Sequence, residues 1–498
     1  MSTTREATLS TGNCSPTSSG ISPTPELILC LSGGGFRATF YHLGVVKLLR
    51  DYGLLQRVTQ VLSVSGGSIM AAHLALNWDE YSRPGDEASF YRVARELILF
   101  GRLDVRGRIV RRSLLLGWFL PKFRRTRQLE AHYARLLRNA SVNSTALAKP
   151  RFSFLATSMT TGKQCRFTAE GFADGDRLHM APGLPLAVAV AASSAFPPLF
   201  PAVELTRDRL HAKTEEFPMN ADYLTDGGVF DNLGRSAVFQ PGSPPPSGHV
   251  LISDASASFD WKLDWSFRGI VSRTVRTTDI LMQRVASLEE QRRCGSGARE
   301  VVIPIGETVR ASDLKVAEGF VPQDLDLQIL ASQIRTDLNE FSLEEIAVLI
   351  RHGYEVALKR LTTDALLGSS FEPGQPSDPC VAPALPGGWD WAPAHIEEIG
   401  VRRMTFRAGK IALKNWHVLV ETERKLAALG GRSLPPPEES ILARDYARRL
   451  IAVKKSLERS RLRDWGLWNW SDWVCWLNLV IFFAVLTIAF WWYWSAHS

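Results

Sequence analysis

Two consecutive units near the start of the chain constrain its fold more than any other feature: Leu27–Arg50, LILCLSGGGFRATFYHLGVVKLLR, and Val58–Ala75, VTQVLSVSGGSIMAAHLA. Leu27–Leu31 and Val58–Val64 are short apolar, partly β-branched runs that read as buried strands. Each run enters a glycine turn, and helix-compatible sequence follows from Ala38 and from Ser68. A strand that turns through glycine into a helix, twice over, predicts a sheet covered by helices.

Ser65 falls on the second corner, where the positions two before and two after it, Ser63 and Gly67, are small enough for a sharp strand–Ser–helix turn. Such a corner holds the hydroxyl out over the helix start, whose free N–H groups favour an anion formed there. In the first unit, Gly33, Gly34 and Gly35 let several backbone N–H groups converge on one oxygen, as a tetrahedral acyl intermediate requires, and Arg37 adds a fixed charge beside them. A phosphate loop is the competing reading, but GxxxxGK[ST] is absent and no acidic residue ends the next strand. Far along the chain, Asp226 precedes Gly227 and Gly228 in YLTDGGVFDN, which suits a carboxylate on a tight turn and equally an ordinary Asp-Gly turn.

The ordered set of SGGGFR, then SxSGG, then ASSAFPPLFP at Ala192–Pro201, then DGG resembles the patatin-like phospholipase family, over roughly Glu26 to Leu361. The resemblance implies a three-layer α/β/α fold with a mainly parallel central sheet. It makes Gly33–Gly35 the oxyanion hole, Ser65 the nucleophile and Asp226 its partner in a Ser-Asp dyad without histidine. Two positions depart from the family pattern: Ser63 replaces the first glycine of GxSxG, and Ala38 stands where a glycine often ends the first motif. The histidines agree with a dyad. His249 starts an apolar run, and His352 lies inside a helix opened by the capping box Ser342-Leu343-Glu344-Glu345, with Phe341 able to staple to Ile346. Neither sits on the loop that a Ser-Asp-His triad needs, and His42 and His73 read as packing residues within the helical layer.

At 498 residues and 45% hydrophobic, the chain can bury a large core and should hold more than one structural unit. Residues 1–25 are Ser/Thr-rich and read as a disordered tail without a signal peptide. The catalytic domain is expected over 26–365, a Pro/Gly-rich linker over 366–395, and helical, basic sequence over 396–464. Six cysteines without CxxC fit a reducing compartment, and the absence of HExxH, an EF-hand loop or zinc spacing leaves no metal or cofactor to expect. Within the domain, Leu97–Arg127 mixes apolar clusters with Arg102, Arg106, Arg108, Arg111, Arg112, Lys122, Arg124 and Arg125. It reads either as a segment lying on anionic headgroups or as a helical cover with solvated arginines.

The uncharged run Val474–Tyr493, VCWLNLVIFFAVLTIAFWWY, has about the length that crosses the hydrocarbon of a bilayer, and tryptophans crowd both ends. With the basic helix Glu438–Arg463 before it, it reads as a C-terminal transmembrane helix, 474–494, holding the enzyme on the cytoplasmic side. The expected activity is hydrolysis of phospholipid acyl esters. A lysolipid or neutral-lipid esterase, an acyltransferase and a non-catalytic membrane-tethered scaffold of the same fold are the alternatives.

Overall fold

The computed structural model describes residues 26–363 apart from 84, 117–124, 176, 198–199, 215–216, 240–245, 247, 257–269, 294–299 and 315–321. Beyond 363 it describes 447–448, 450–458 and scattered positions between 476 and 494. The expected N-terminal tail and the Pro/Gly-rich linker lie outside the described residues.

The chain begins with the two strand–helix units read from the sequence: β1 (Leu27–Leu31), α1 (Gly35–Asp51), β2 (Val58–Val64) and α2 (Gly66–Leu76). Helices α3 (Trp78–Ser82), α4 (Glu87–Gly101), α5 (Val105–Leu116) and α6 (Arg125–Leu136) come next. A meander follows, made of β3 (Arg151–Ser158), β4 (Gln164–Thr168), β5 (Gly171–Asp174) and β6 (Arg177–His179). Then come α7 (Leu186–Ser193), β7 (Val203–Thr206), α8 (Arg207–Leu210), β8 (Ala221–Asp226), α9 (Gly228–Asp231) and α10 (Arg235–Val238). The domain closes with β9 (His249–Asp254), α11 (Ile270–Arg293), β10 (Glu300–Pro304), α12 (Leu325–Gln333) and α13 (Leu343–Thr363).

The ten strands among the described residues form one sheet, in the order β10-β9-β1-β2-β3-β4-β5-β6, with β8 also on β3 and β7 on β8. The sheet is mixed, which corrects the expectation of a mainly parallel one. β10, β9, β1, β2 and β3 run parallel, whereas every pairing among β3 to β8 is antiparallel. The cause is local: β3 to β6 are joined by short turns, and only a longer crossover, as α1 and its loop provide, can return a strand parallel.

The two faces of the sheet are covered unequally. Leu27, Leu29, Leu31 and Val61 point into the main core with α1, α2, α7 and α13, while Cys30, Leu62, Val64, Val250 and Ile252 form a smaller cluster with Leu155 and Leu233. The first face buries most of the apolar surface and so contributes most of the hydrophobic stabilisation. The capping box of α13 forms as its sequence predicts: Ser342 Oγ accepts from the Glu345 N–H (3.2 Å), and Glu345 Oε2 accepts from the Ser342 N–H (2.5 Å).

The arginine-rich stretch Leu97–Arg127 is largely turned inward where it is described. Arg106 pairs with Asp337 (2.7 Å) and Arg111 with Asp104 (2.9 Å), both guanidiniums being buried. Arg102 reaches Glu340 (3.1 Å) and the Phe341 carbonyl (2.8 Å). Arg106 and Arg102 therefore fasten α5 and the end of α4 to the domain, while Arg111 closes on the start of its own helix. Trp118, Phe119, Leu120, Lys122 and Arg124 lie outside the described residues.

Among the described residues no helix is long and apolar enough to cross a membrane. Only scattered positions of Val474–Tyr493 are described. Trp476, Val480, Phe483, Leu486, Ile488, Trp491 and Trp492, with Trp494 just beyond, are helical and 48–70% exposed. Ahead of them, the helical residues 450–458 bury Val453 and Leu457 in the main core, and Lys454 pairs with Asp324 (3.0 Å) and Asp326 (2.5 Å) at the start of α12.

Candidate active site

Strand register brings Ser65 and Asp226 together. On β3, Phe154 lies opposite Ser63 of β2 and Phe167 of β4, so those two strands occupy opposite edges. Two residues on, Ala156 lies opposite Cys165 of β4 and Asp226 of β8, so β8 takes over the edge that β2 has left. Val64 is opposite Leu155 and Asp226 opposite Ala156, and adjacent strand residues are only about 3.3 Å apart along the chain. The carboxyl ends of β2 and β8 thus meet head to head, one carrying a hydroxyl and the other a carboxyl group.

The corner at Ser65 is strained and tightly supported. Its φ of 51° and ψ of −118° lie where residues with a side chain are rare. The Ser65 N–H donates to Ser193 Oγ (3.0 Å) at the end of α7, which packs behind this corner. The Ser193 hydroxyl meets that of Ser68 (2.8 Å), Ser68 donates to Ser63 (3.0 Å), and Ser63 donates to the Ser153 carbonyl (3.3 Å). Ser63, where a glycine was expected, therefore serves as a link in a buried chain of hydroxyls. A Cβ placed on Gly66 would come within 2.0 Å of the Gly35 carbonyl oxygen, so the two glycine turns interlock at a distance only bare backbone allows.

The first glycine turn lies against the hydroxyl-bearing residue, since a Cβ on Gly33 would stand 3.1 Å from that of Ser65. Its three N–H groups are not equivalent. Gly33 donates to the Asn232 carbonyl (3.2 Å), whereas no described residue accepts from the N–H of Gly34, Gly35 or Gly66. These amides keep unengaged donors close to Ser65. Arg37 takes a different part from the one expected. Its buried guanidinium donates to the carbonyls of Ser332 (3.3 Å), Ile334 (2.9 Å) and Ala255 (2.7 Å), and the Ala255 carbonyl abuts Gly34. Arg37 braces the frame around the glycine turn.

Asp226 is 1% exposed, and its Oδ1 accepts from the Gly228 N–H (2.7 Å) across the tight turn through Gly227. Burial pushes its pKa from 3.8 up to about 7, against the pull of the Ser65 hydroxyl and the Gly228 N–H, which favour the charged form. Oδ2 is buried with no hydrogen bond of good geometry. The backbone is fixed on both sides: the Asp226 N–H donates to Ala195 (3.2 Å), and its carbonyl accepts from Thr157 Oγ1 (2.9 Å). Gly227 donates to the Ser193 carbonyl (3.2 Å), so Ser193 holds both strand ends, one through its hydroxyl and the other through its backbone.

Sequence reasoning gave no part to Ser193 or to Asn232, whose carbonyl takes up Gly33 and whose Nδ2 donates to Ser256 Oγ (2.8 Å). The histidines are engaged elsewhere. His42 Nδ1 meets Ser253 Oγ (2.6 Å), and its Nε2 meets the Ser32 carbonyl (2.9 Å). His352 Nε2 meets the Ile305 carbonyl (2.7 Å), and burial lowers both rings to about 4. His73 meets the Tyr81 hydroxyl (3.0 Å). His249 lies opposite Leu27, at the end of the sheet away from Ser65. A surface depression of about 460 Å³ lined by Glu204, Thr206, Arg207 and Asn220 lies at the Ala221 end of β8, away from Asp226.

Residues 29–238, which contain both strand ends and both glycine turns, match the family model of the patatin-like phospholipases. The chain carries a patatin-like phospholipase domain. β9, β10 and α13 lie beyond the matched residues yet complete the same sheet and core. No curated protein matches the sequence. Among solved structures, the chain is similar to the human GIVD cytosolic phospholipase A2, at 15% identity over 68% of this chain and 61% of that one, with a TM-score of 0.40. It thus spans about three fifths of that enzyme's length. It is also similar to VipD from Legionella pneumophila (12% identity, 89% of each chain, TM-score 0.29). A third likeness is to the type III effector protein ExoU of Pseudomonas aeruginosa (13% identity, 91% of each chain, TM-score 0.26).

Proposed function

We propose that the protein is a membrane-anchored serine hydrolase that cleaves acyl esters of phospholipids through Ser65 and Asp226. The observation that carries this reading is the head-to-head meeting of β2 and β8, which sets a hydroxyl on a strained corner beside a buried carboxyl group. With a pKa near 7, Asp226 is ionised in a useful fraction at neutral pH and is a far better base than an exposed aspartate. It takes the Ser65 proton as the oxygen attacks the ester carbonyl, and the tetrahedral oxyanion is met by the N–H groups of Gly34, Gly35 and Gly66. The proton passes to the departing lysolipid oxygen, leaving an acyl ester on Ser65. Water, deprotonated by Asp226, then releases the fatty acid.

The anchor belongs to the same proposal. The run 474–494 spans the bilayer, with the catalytic domain on the cytoplasmic side where the basic helix before it lies. The exposed apolar side chains at its described positions support this reading. Tethering places the enzyme where its substrate is concentrated. The test is fatty-acid release from mixed phospholipid vesicles by the full chain, Ser65→Ala and Asp226→Asn, each checked for folding. Release by the wild type alone supports the dyad. Equal release by all three removes it, and fluorophosphonate labelling of Ser65 without release points to a different lipid substrate.

A further inference from the structure

The helix α11 lies over the site and faces outward in an unusual way. Inward, a Cβ on Gly228 would meet the Met282 methyl group at 3.2 Å, and α11 packs on α9, the turn that follows Asp226. Outward, at about 100° per residue, Arg273, Thr277, Ile280, Leu281, Arg284 and Leu288 share one side. On that side Ile280 is 50% exposed, Leu281 61% and Leu288 40%, with Arg273 and Arg284 also exposed. A helix that merely covers a core puts its leucines inside. This one presents apolar side chains to the solvent, and the only charges among the described side chains of that face are positive.

We propose that α11 is the element through which the catalytic domain enters an anionic lipid surface. Its leucine and isoleucine side chains sink below the headgroups while Arg273 and Arg284 remain among the phosphates. Phe230 on α9, four residues after Asp226, is also 37% exposed. Seating α11 in the interface therefore brings the mouth of the site to the depth of the acyl esters. This inference rests on the reading of the site as a lipid hydrolase. It departs from one of the two sequence readings of Leu97–Arg127, the one that laid that segment on the headgroups.

The experiment uses the full chain in nanodiscs, so that any anchor is held constant while the surface is varied between phosphatidylcholine alone and phosphatidylcholine with phosphatidylglycerol. Amide hydrogen exchange over 270–293 should slow severalfold on the anionic surface, and Ile280→Asp with Leu281→Asp should abolish that protection. The same pair should lower hydrolysis of nanodisc phospholipid about tenfold and that of a water-soluble short-chain ester less than about twofold. Arg273→Gln with Arg284→Gln, which leaves the fold's apolar contacts alone, should cost about tenfold on the anionic surface and little on the neutral one. Unchanged exchange on both surfaces overturns the proposal, and so does an equal loss on both substrates, which would make α11 a structural part of the site. If the wild type hydrolyses neither substrate while α11 is still protected, the docking stands and the hydrolase reading fails.

Discussion

The two strand ends that meet on β3 are built on opposite terms. At the end of β2 the backbone is strained, each neighbouring hydroxyl has a partner, and the side chain of Ser65 is only half buried. At the end of β8 the backbone sits in a regular ladder while the side chain is sealed from water with one oxygen unpaired. On the proposed mechanism, the nucleophile is thus defined by position and the base by environment. Geometry holds the first at a cost in backbone energy, and desolvation tunes the second at a cost in solvation.

That contrast predicts different penalties at the two residues. The largest effect is at Ser65. Removing the nucleophile should lower acyl release by about a million-fold, to background. Yet Ser65→Gly should fold more stably than Ser65→Ala by about 1–3 kcal/mol, because only glycine relaxes at this φ and ψ. Denaturant unfolding of the two inactive variants measures the difference, and equal stabilities would mean that the corner stores no strain.

Asp226→Asn should lower the rate by about 10²–10⁴, as expected for loss of a general base. Its stability should change with the opposite pH dependence to that of an ordinary salt-bridged acid. Because the folded pKa is raised from 3.8 to about 7, ionisation disfavours the folded state. Wild-type stability is unpenalised below about pH 4 and falls as pH rises. By pH 8 it has lost roughly 4 kcal/mol relative to the variant, since each pH unit between the unfolded and folded pKa values costs about 1.36 kcal/mol. Unfolding of both proteins at pH 5 and pH 8 reads this directly. The same group should give kcat/KM an acidic limb near pH 7, and a limb near 4 would mean that the carboxylate is hydrated and not sealed.

A smaller effect falls on Ser193, which joins the two ends. Ser193→Ala leaves the Ser65 N–H without its acceptor and should cost about 1–3 kcal/mol of stability. It should lower kcat more than it raises KM, because it displaces the reacting oxygen without touching lipid. Ser193→Thr, which keeps the hydroxyl, should recover part of the loss. If the alanine variant keeps full kcat, the corner at Ser65 is self-supporting.

The local parts of this site were legible in the sequence because each is written in a few adjacent residues. The apolar runs, the glycine turns and the capping box at Ser342 all formed where they were read. What escaped was decided by partners distant in sequence. Nothing near Asp226 reveals that β8 continues the edge left by β2, since that register is set by Ala156 on a third strand. Arg37 looked like a charge for the oxyanion until carbonyls around Ile334 claimed it. Arg106 and Arg111 could be read as the basic face of a membrane segment or as solvated charges, but Asp337 and Asp104 draw them inward. Arg273 and Arg284 on α11, which no acid among the described residues draws in, are left outside. A basic, apolar helix is therefore ambiguous from sequence alone: the location of its counter-charges decides which way it faces.

The least effect should come from Ser63, and it sharpens the contrast because Ser63 belongs to the positioning side alone. Ser63→Gly restores the usual elbow pattern but removes the link between Ser68 and the Ser153 carbonyl. The lost hydrogen bonds and the added freedom of glycine in a strand should cost about 1–2 kcal/mol. The rate should stay within about twofold, because Ser68 and Ser193 still bond to each other and Ser193 still holds the Ser65 N–H. Thermal unfolding beside vesicle turnover separates the two quantities. A stability loss with the rate intact makes the hydroxyl chain a brace, whereas a large fall in rate would mean that the nucleophile depends on the chain as far back as β3.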